Sequence, residues 1–183
     1  MSERSNLGEP SAPIIHELTP RWLMAYMACL SERELDYFDS SKAIQAHPLF
    51  PVCLEWPVIV SLRSEPITQS NATGAVHASH DLHIHHPLTS GVTTSTKAQI
   101  IGREQKKPGV YETLRMDTTD TSGTLLCTTY QGSMILGARM EEAADAIEVP
   151  PEIPGVESLE SPRIYPQRVG SGFAHIYTEC ARI

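Results

Sequence analysis

The stretch Val76-His77-Ala78-Ser79-His80-Asp81-Leu82-His83-Ile84-His85-His86-Pro87-Leu88-Thr89-Ser90-Gly91 alternates between apolar and polar side chains. Successive side chains of a β-strand point to opposite faces, so this period of two predicts a strand that ends before Pro87. The proline and glycine within 87–91 predict a turn. One face should carry Val76, Ala78, His80, Leu82, Ile84 and His86, and the other His77, Ser79, Asp81, His83 and His85.

Three more strands are predicted after this one. Residues 93–104, 110–117 and 124–136 are rich in threonine and apolar side chains, and turns at 107–109 and 120–123 separate them. Sequential strands joined by short turns favour an antiparallel meander.

Two helices are predicted before the strands. Thr19 is a good N-cap and Pro20 suits the first helical position,. Trp22, Tyr26 and Cys29 then fall on one face, so this helix should be largely buried,. Residues 55–63 predict a second apolar helix with a proline in its first turn, although their β-branched run also permits a strand,. Helices against an antiparallel sheet indicate an α+β fold.

The two ends of the chain differ from this central region. Residues 1–18 are polar at the start and are expected to be a flexible N-terminus. Residues 139–167 combine five prolines with many acidic side chains, which predicts a stiff, extended linker,. Residues 168–183 are expected to begin a new ordered segment, either a second, truncated domain or a C-terminal strand.

The composition is that of an ordinary globular protein, with 183 residues of which 40% are hydrophobic and 20% charged,. The net charge of −8 argues against a nucleic-acid-binding surface,. No stretch approaches the ~18 apolar residues of a membrane span, so we expect no membrane partner. The four cysteines share no short spacing and are expected to be reduced, and no cofactor is expected,.

The turn His85-His86-Pro87-Leu88-Thr89-Ser90-Gly91 resembles the x-H-x-P-L-x-x-G pattern of MaoC-like hydratases and dehydratases. The segment 47–57, which contains His-Pro-Leu-Phe-Pro-Val and Glu-Trp-Pro, resembles the entry into the central helix of the same proteins. The resemblance covers about residues 20–138. It implies a hot-dog fold over 19–138, in which an antiparallel β-sheet wraps around a central helix.

In that family an overhanging segment, aromatic-x-x-[AS]-G-D-x-N-P-[IL]-H, carries an Asp and a His that hold the reacting water. The resemblance places Glu32 at the Asp position and Tyr37 at the His position, with Glu34 and Leu35 in place of Asn and Pro. Tyrosine is a poor proton acceptor near neutral pH. This copy of the motif is therefore expected to be inactive in hydration.

The tail, residues 173–183, resembles a second copy of the same segment. Ala181 falls on its small residue, Arg182 on its glycine and Ile183 on its Asp. In double hot-dog members the first half builds the acyl tunnel and the second half is catalytic, so the chain resembles the N-terminal half of such a protein.

The resemblance implies action on acyl-thioester or polyketide-like substrates by hydration, dehydration or a repurposed lyase or cyclase reaction. The alternative is a non-catalytic hot-dog subunit that binds the acyl chain and pairs with an active partner. The expected partners are an acyl-CoA or carrier-bound acyl chain and a second hot-dog chain, in a homodimer or with a related protein. A cytoplasmic location is expected, with a peroxisomal address at Ala181-Arg182-Ile183 as the alternative,.

The candidate site residues come from the overhanging segment and from the His-rich strand. On one strand face, Asp81, His83 and His85 could also bind a metal, since His-x-His is a common ligand pair,. They offer at most three ligands on a flat strand, so we expect no bound metal. The candidate catalytic residues are Tyr37, His83 and His85, and the candidate substrate-binding residues are Glu32, His77 and Asp81.

Overall fold

The computed structural model describes residues 7–63, 74–140, 144–152, 155, 164–166 and 168–183. They form one sheet of six strands with helices packed against it. The predicted α+β hot-dog fold is confirmed. The strands are β1 (Ile14–Glu17), β2 (Gly74–Ile84), β3 (Thr93–Gln105), β4 (Gly109–Asp120), β5 (Leu125–Leu136) and β6 (Ala144–Ala146).

The sheet is antiparallel, with the strand order β1-β3-β4-β5-β2 and β6 paired to β3. The meander prediction is confirmed for β3, β4 and β5, which are consecutive neighbours. It is wrong for β2, which pairs with β5 and not with β3. As a result β2 lies at an edge of the sheet.

A β-bulge in β2 changes the faces predicted from the period of two. His77 pairs with Ser133 and His80 with Gln131, so the register shifts between His77 and Ser79. A bulge inserts one extra residue, which moves the residues on its two sides out of simple alternation. His77 therefore shares a face with His80, and their ring centroids are 5.5 Å apart.

Helix α1 (Pro20–Cys29) begins as predicted, and Thr19 Oγ1 accepts a hydrogen bond from the Trp22 amide at 3.3 Å. Its aromatic face is buried, with Trp22 2% and Tyr26 1% exposed. The phenyl ring of Phe50 lies edge-on to both aromatic rings. The helix anchors a core that also contains Cys53 and Leu54.

Helix α2 (Val52–Arg63) is longer than predicted. The expectation that α2 begins near Glu55, with Pro57 in its first turn, is wrong. Hydrogen bonds to the carbonyls of Phe50 and Pro51 start the helix three residues earlier, so Pro57 lies inside it. The Cys53 amide donates to the Phe50 carbonyl at 2.9 Å, and the Glu55 amide to the Pro51 carbonyl at 3.0 Å. The apolar residues of α2 pack on the inner face of the sheet, the face that the helix covers. That cluster contains Val58 and Ile59 with Ala98, Ile100, Leu114 and Met116.

Parts of the chain outside the predicted domain join the same sheet. The expectation of a flexible N-terminus is wrong for β1, which pairs with the start of β3. Within the predicted linker, β6 pairs with β3, and Glu148 bonds Arg115 at 3.0 Å. The sequences of these segments carry no strand pattern of their own, because β1 and β6 are held by hydrogen bonds to β3.

The last segment forms a helix, α3 (Phe173–Ala181), which excludes the C-terminal strand, one of the two expectations for residues 168–183. It packs on α1, where Trp22 Nε1 donates to the Cys180 carbonyl at 2.9 Å and the Arg182 guanidinium lies 4.0 Å from the centre of the indole. Ala181 is fully buried in this contact. None of the helices described is long and apolar enough to cross a membrane.

Candidate functional site

The overhanging segment places Glu32 and Tyr37 in different surroundings. Glu32 Oε1 accepts the amides of Arg33 at 2.7 Å and Glu34 at 3.1 Å, and these bonds lower the pKa of the carboxyl. Tyr37 is half-buried against the core, with its ring centroid 6.2 Å from that of His47. Glu32 thus closes the turn after α1 as a carboxylate, and Tyr37 packs as an aromatic side chain.

The candidate residues Asp81, His83 and His85 lie on the outer face of the sheet, away from α2. His83 Nε2 is 3.0 Å from Asp81 Oδ2, and its ring is edge-on to Tyr130 at 5.8 Å. His85 Nε2 is 3.1 Å from the hydroxyl of Thr128. The bulge moves His77 to the inner face, so the three histidines predicted to share one strand face are divided between two faces.

A different set of polar side chains meets on the inner face. Glu55 of α2 is 1% exposed, and its Oε1 accepts a hydrogen bond from the Thr129 hydroxyl at 2.5 Å. Its Oε2 is 3.3 Å from Nε2 of His80 on β2. The His80 side chain is 28% exposed, so one side of the imidazole reaches solvent while the other faces the carboxyl. This Glu55–His80 pair was not among the predicted site residues.

Burial dominates the electrostatics of the Glu55–His80 pair. It raises the pKa of Glu55 from 4.5 to about 7, although the Thr129 hydrogen bond opposes the shift. It also lowers the pKa of His80, as does the neighbouring His77, against the influence of Asp81. Both effects disfavour charge, since a poorly solvated charged form is unstable. Both shifts therefore favour the neutral forms of the two groups, and Glu55 gains or loses its proton near neutral pH.

Two helices that pack together carry matching residues. Trp22, Tyr26 and Cys29 of α1 stand at the same spacing as Phe173, Tyr177 and Cys180 of α3. Each helix is followed by a non-glycine residue in the left-handed conformation, Ser31 with φ 62° and Arg182 with φ 59°. In both cases the next amide, of Glu32 or Ile183, donates back to the carbonyl five residues earlier, at 3.0 and 3.1 Å. The tail therefore repeats the local structure of α1 and its turn.

Residues 5–129 match the family described as FAS1-like, dehydratase domain region. The match covers more than half of the chain and includes α1, α2 and most of the sheet. The chain belongs to this dehydratase family. The resemblance to MaoC-like hot-dog proteins is confirmed as well. No curated protein matches the sequence.

Solved structures resemble this FAS1-like dehydratase chain in fold. A MaoC-like dehydratase from Phytophthora capsici is 21% identical with a TM-score of 0.69, and the match covers 93% of this chain and 61% of that one. The HadBC (3R)-hydroxyacyl-ACP dehydratase complex of Mycobacterium tuberculosis is 14% identical with a TM-score of 0.63, and the match covers 71% of this chain and 97% of that one. The (R)-hydratase of A. caviae is 13% identical with a TM-score of 0.55, and the match covers 73% of this chain and 99% of that one. The chain thus spans about three fifths of the Phytophthora protein.

The sequence contained one signal for the buried pair. Glu55 is an acidic residue within a segment predicted to be an apolar helix, between Leu54 and Val58, which are both fully buried. A carboxyl at such a position needs a partner inside the protein. Within the part of the chain that the structure describes, no group of three or more His, Cys, Asp or Glu side chains is arranged to hold a metal. The absence of a bound metal remains a prediction.

Proposed function

We propose that this chain binds acyl thioesters or polyketide-like acyl chains and takes part in their hydration or dehydration, or in a related lyase or cyclase step. The observation that carries the proposal is the match to a dehydratase region over residues 5–129. That region includes α2 and β2, the two elements that bring a buried carboxyl beside an imidazole. General acid–base groups of this kind are what the addition or removal of water requires.

We further propose that a second hot-dog domain, from a second copy or a related chain, completes the functional unit. The repeat of α1 by α3 supports this, as does the position of β2 at the edge of the sheet. An edge strand exposes backbone hydrogen-bonding groups that a partner strand can satisfy. The HadBC and ChsH1–ChsH2 proteins of Mycobacterium tuberculosis, both similar in fold, are complexes.

A second candidate function is a non-catalytic subunit that binds the acyl chain beside an active partner. The surroundings of Glu32 and Tyr37 favour it, because neither side chain is arranged as a proton carrier. If the chain is such a subunit, Tyr37, Glu32 and His77 would be polar contacts of the bound acyl chain. Roles for Asp81, His83 and His85 would require a substrate or partner at the outer face.

The test uses the purified full chain with crotonyl-CoA and (R)-3-hydroxybutyryl-CoA. Binding is measured by calorimetry, and hydration or dehydration by the absorbance of the enoyl thioester. We expect binding with slow turnover, and Tyr37→Phe and His85→Ala should change the rate by less than about threefold. Binding without turnover would favour the subunit alternative. Failure to bind either thioester at millimolar concentration would refute both functions.

A further inference from the structure

We propose that His80 and Glu55 form an acid–base site that removes the proton from carbon 2 of a 3-hydroxyacyl thioester and returns it to the leaving hydroxyl. His80 is the catalytic residue, and its Nδ1 is the base. Glu55 is the positioning residue, and its carboxyl faces Nε2 of the same imidazole. The inference rests on the proposed action on acyl thioesters. It assigns the chemistry to the Glu55–His80 pair and not to Glu32 and Tyr37.

The geometry of the carboxyl leaves one oxygen for the imidazole. Thr129 on β5 donates to Oε1 of Glu55, which fixes the orientation of the carboxyl group. The other oxygen, Oε2, is buried and has no hydrogen-bond partner among the residues described. His80 Nε2, at 3.3 Å, is placed to supply the donor. A small adjustment of the imidazole ring would complete the bond, as occurs when catalytic hydrogen bonds tighten around a substrate.

A second buried acceptor lies beside the same imidazole. Gln131 is 3% exposed and directly opposite His80 in the β2–β5 register. Directly opposed residues in an antiparallel pair have Cβ atoms about 5 Å apart and share one face of the sheet. Its Nε2 donates to Ser133, whereas its Oε1 is buried with no partner among the residues described. Two buried acceptors without donors are costly, so each favours a nearby N–H or O–H group.

Proton transfer by this pair is balanced as follows. In the basic form Glu55 is a carboxylate, and neutral His80 carries its proton on Nε2, which leaves a lone pair on Nδ1. Nδ1 takes the proton from carbon 2, the electrons of that C–H bond form the C2–C3 double bond, and the C3–O bond breaks. The imidazolium then gives the same proton to the departing hydroxyl, which leaves as water. The reverse sequence is hydration, and neither direction needs an oxidant, a reductant or another reactant.

The neighbouring groups adjust this chemistry to neutral pH. His77 and Asp81 on β2 act on His80 in opposite directions. Cys53 on α2 and Cys127 on β5 lie close enough for the Glu55 charge to raise their own pKa values further, so both stay neutral thiols. The most effective general base has a pKa near the working pH. A pair that gains or loses one proton near pH 7 meets that condition.

The experiment follows the C2 protons of (R)-3-hydroxybutyryl-CoA by proton NMR in heavy water, with the full chain at several pH values. The variants are His80→Asn and Glu55→Gln. The matched controls are His86→Gln and Glu104→Gln, at exposed positions away from the pair. Circular dichroism checks the folding of each variant, and calorimetry measures thioester binding.

We expect the wild-type exchange rate to rise with pH around 7, where Glu55 loses its proton, and to level off about one pH unit higher, where the basic form predominates,. His80→Asn should lower the rate at least 100-fold while binding changes less than threefold, and both controls should stay within twofold of wild type. Glu55→Gln should remove the rise with pH, which a purely structural role would leave in place. Folded variants that bind the thioester and exchange at the wild-type rate would overturn the acid–base site and leave the proposed function intact. Wild-type protein that binds without exchanging any C2 proton would overturn it as well. Absence of thioester binding would refute the proposed function itself.

Discussion

Replacing Glu55 with Gln should make the protein more stable relative to wild type as the pH rises. The pKa of Glu55 is raised by burial from 4.5 to about 7. A carboxyl whose pKa is higher in the folded state stabilises the fold below its unfolded value, and this stability is lost as the pH rises through the folded value. At about 1.4 kcal/mol for each pKa unit, the loss between pH 4.5 and pH 8 is about 3 kcal/mol. Glutamine has a similar shape and no such titration, so the variant does not incur this loss.

The assay is urea unfolding followed by tryptophan fluorescence, at pH values from 4.5 to 8. The quantity compared is the difference in the free energy of unfolding between Glu55→Gln and wild type, because the titration of groups far from Glu55 then cancels. His80 contacts Glu55, and its lowered pKa changes stability in the opposite direction, so the same difference is also measured in a His80→Asn background. Glu104→Gln, at an exposed ion pair with Lys106, serves as the control and should show a difference that is flat with pH. If the difference in the free energy of unfolding between Glu55→Gln and wild type stays constant within about 0.5 kcal/mol from pH 4.5 to 8, the raised pKa of Glu55 is refuted.

Three further predictions concern the packing and assembly of the chain. Trp22→Ala should lower the free energy of unfolding by about 3–5 kcal/mol and should also speed amide exchange in residues 173–181, because α3 loses its contact with the indole,. Trp56→Ala is the control: this side chain is 42% exposed, and its removal should lower the free energy of unfolding by less than about 1 kcal/mol,. Gly109→Ala should lower the free energy of unfolding in the urea assay by about 1–3 kcal/mol or more, because the new Cβ would overlap the backbone of Ile135,. Gly172→Ala, which has open space around it, should leave the free energy of unfolding nearly unchanged. Light scattering should show a dimer or a larger assembly, and a stable monomer at micromolar concentration would contradict pairing through the edge strand.

Several features could be predicted because their causes are local. The cap at Thr19 and the apolar spacing after it specify α1, and the period of two specifies β2,. Threonine-rich apolar runs separated by turns specify β3 to β5,. The turn pattern after β2 was enough to suggest the hot-dog fold. The mismatch at Glu32 and Tyr37 was also visible, because it depends only on which residues occupy two positions.

The Glu55–His80 pair was not predicted, because the candidate residues Asp81, His83 and His85 of the His-rich strand lie on the other face of the sheet. Alternation alone places His77 with His83 and His85, and the bulge between His77 and Ser79 reverses this. A bulge arises from how β2 fits against β5, and nothing in the sequence of β2 marks its position. The division of the histidines between the two faces therefore depends on a strand pairing that local periodicity does not describe.

Local sequence was sufficient for the kind of each element, its cap and its turns, because those depend on residues a few positions apart. Tertiary packing alone could order β1 and β6, since each is held by hydrogen bonds to β3. It also made Glu55 a titratable group near neutral pH, because the carboxyl lost its water only when α2 closed over the sheet. Glu55 and Thr129 are 74 positions apart in the chain, and the His80 imidazole comes from a third element. Desolvation and hydrogen bonding between such distant groups depend on the assembled core, which is why the acid–base pair became visible only in three dimensions.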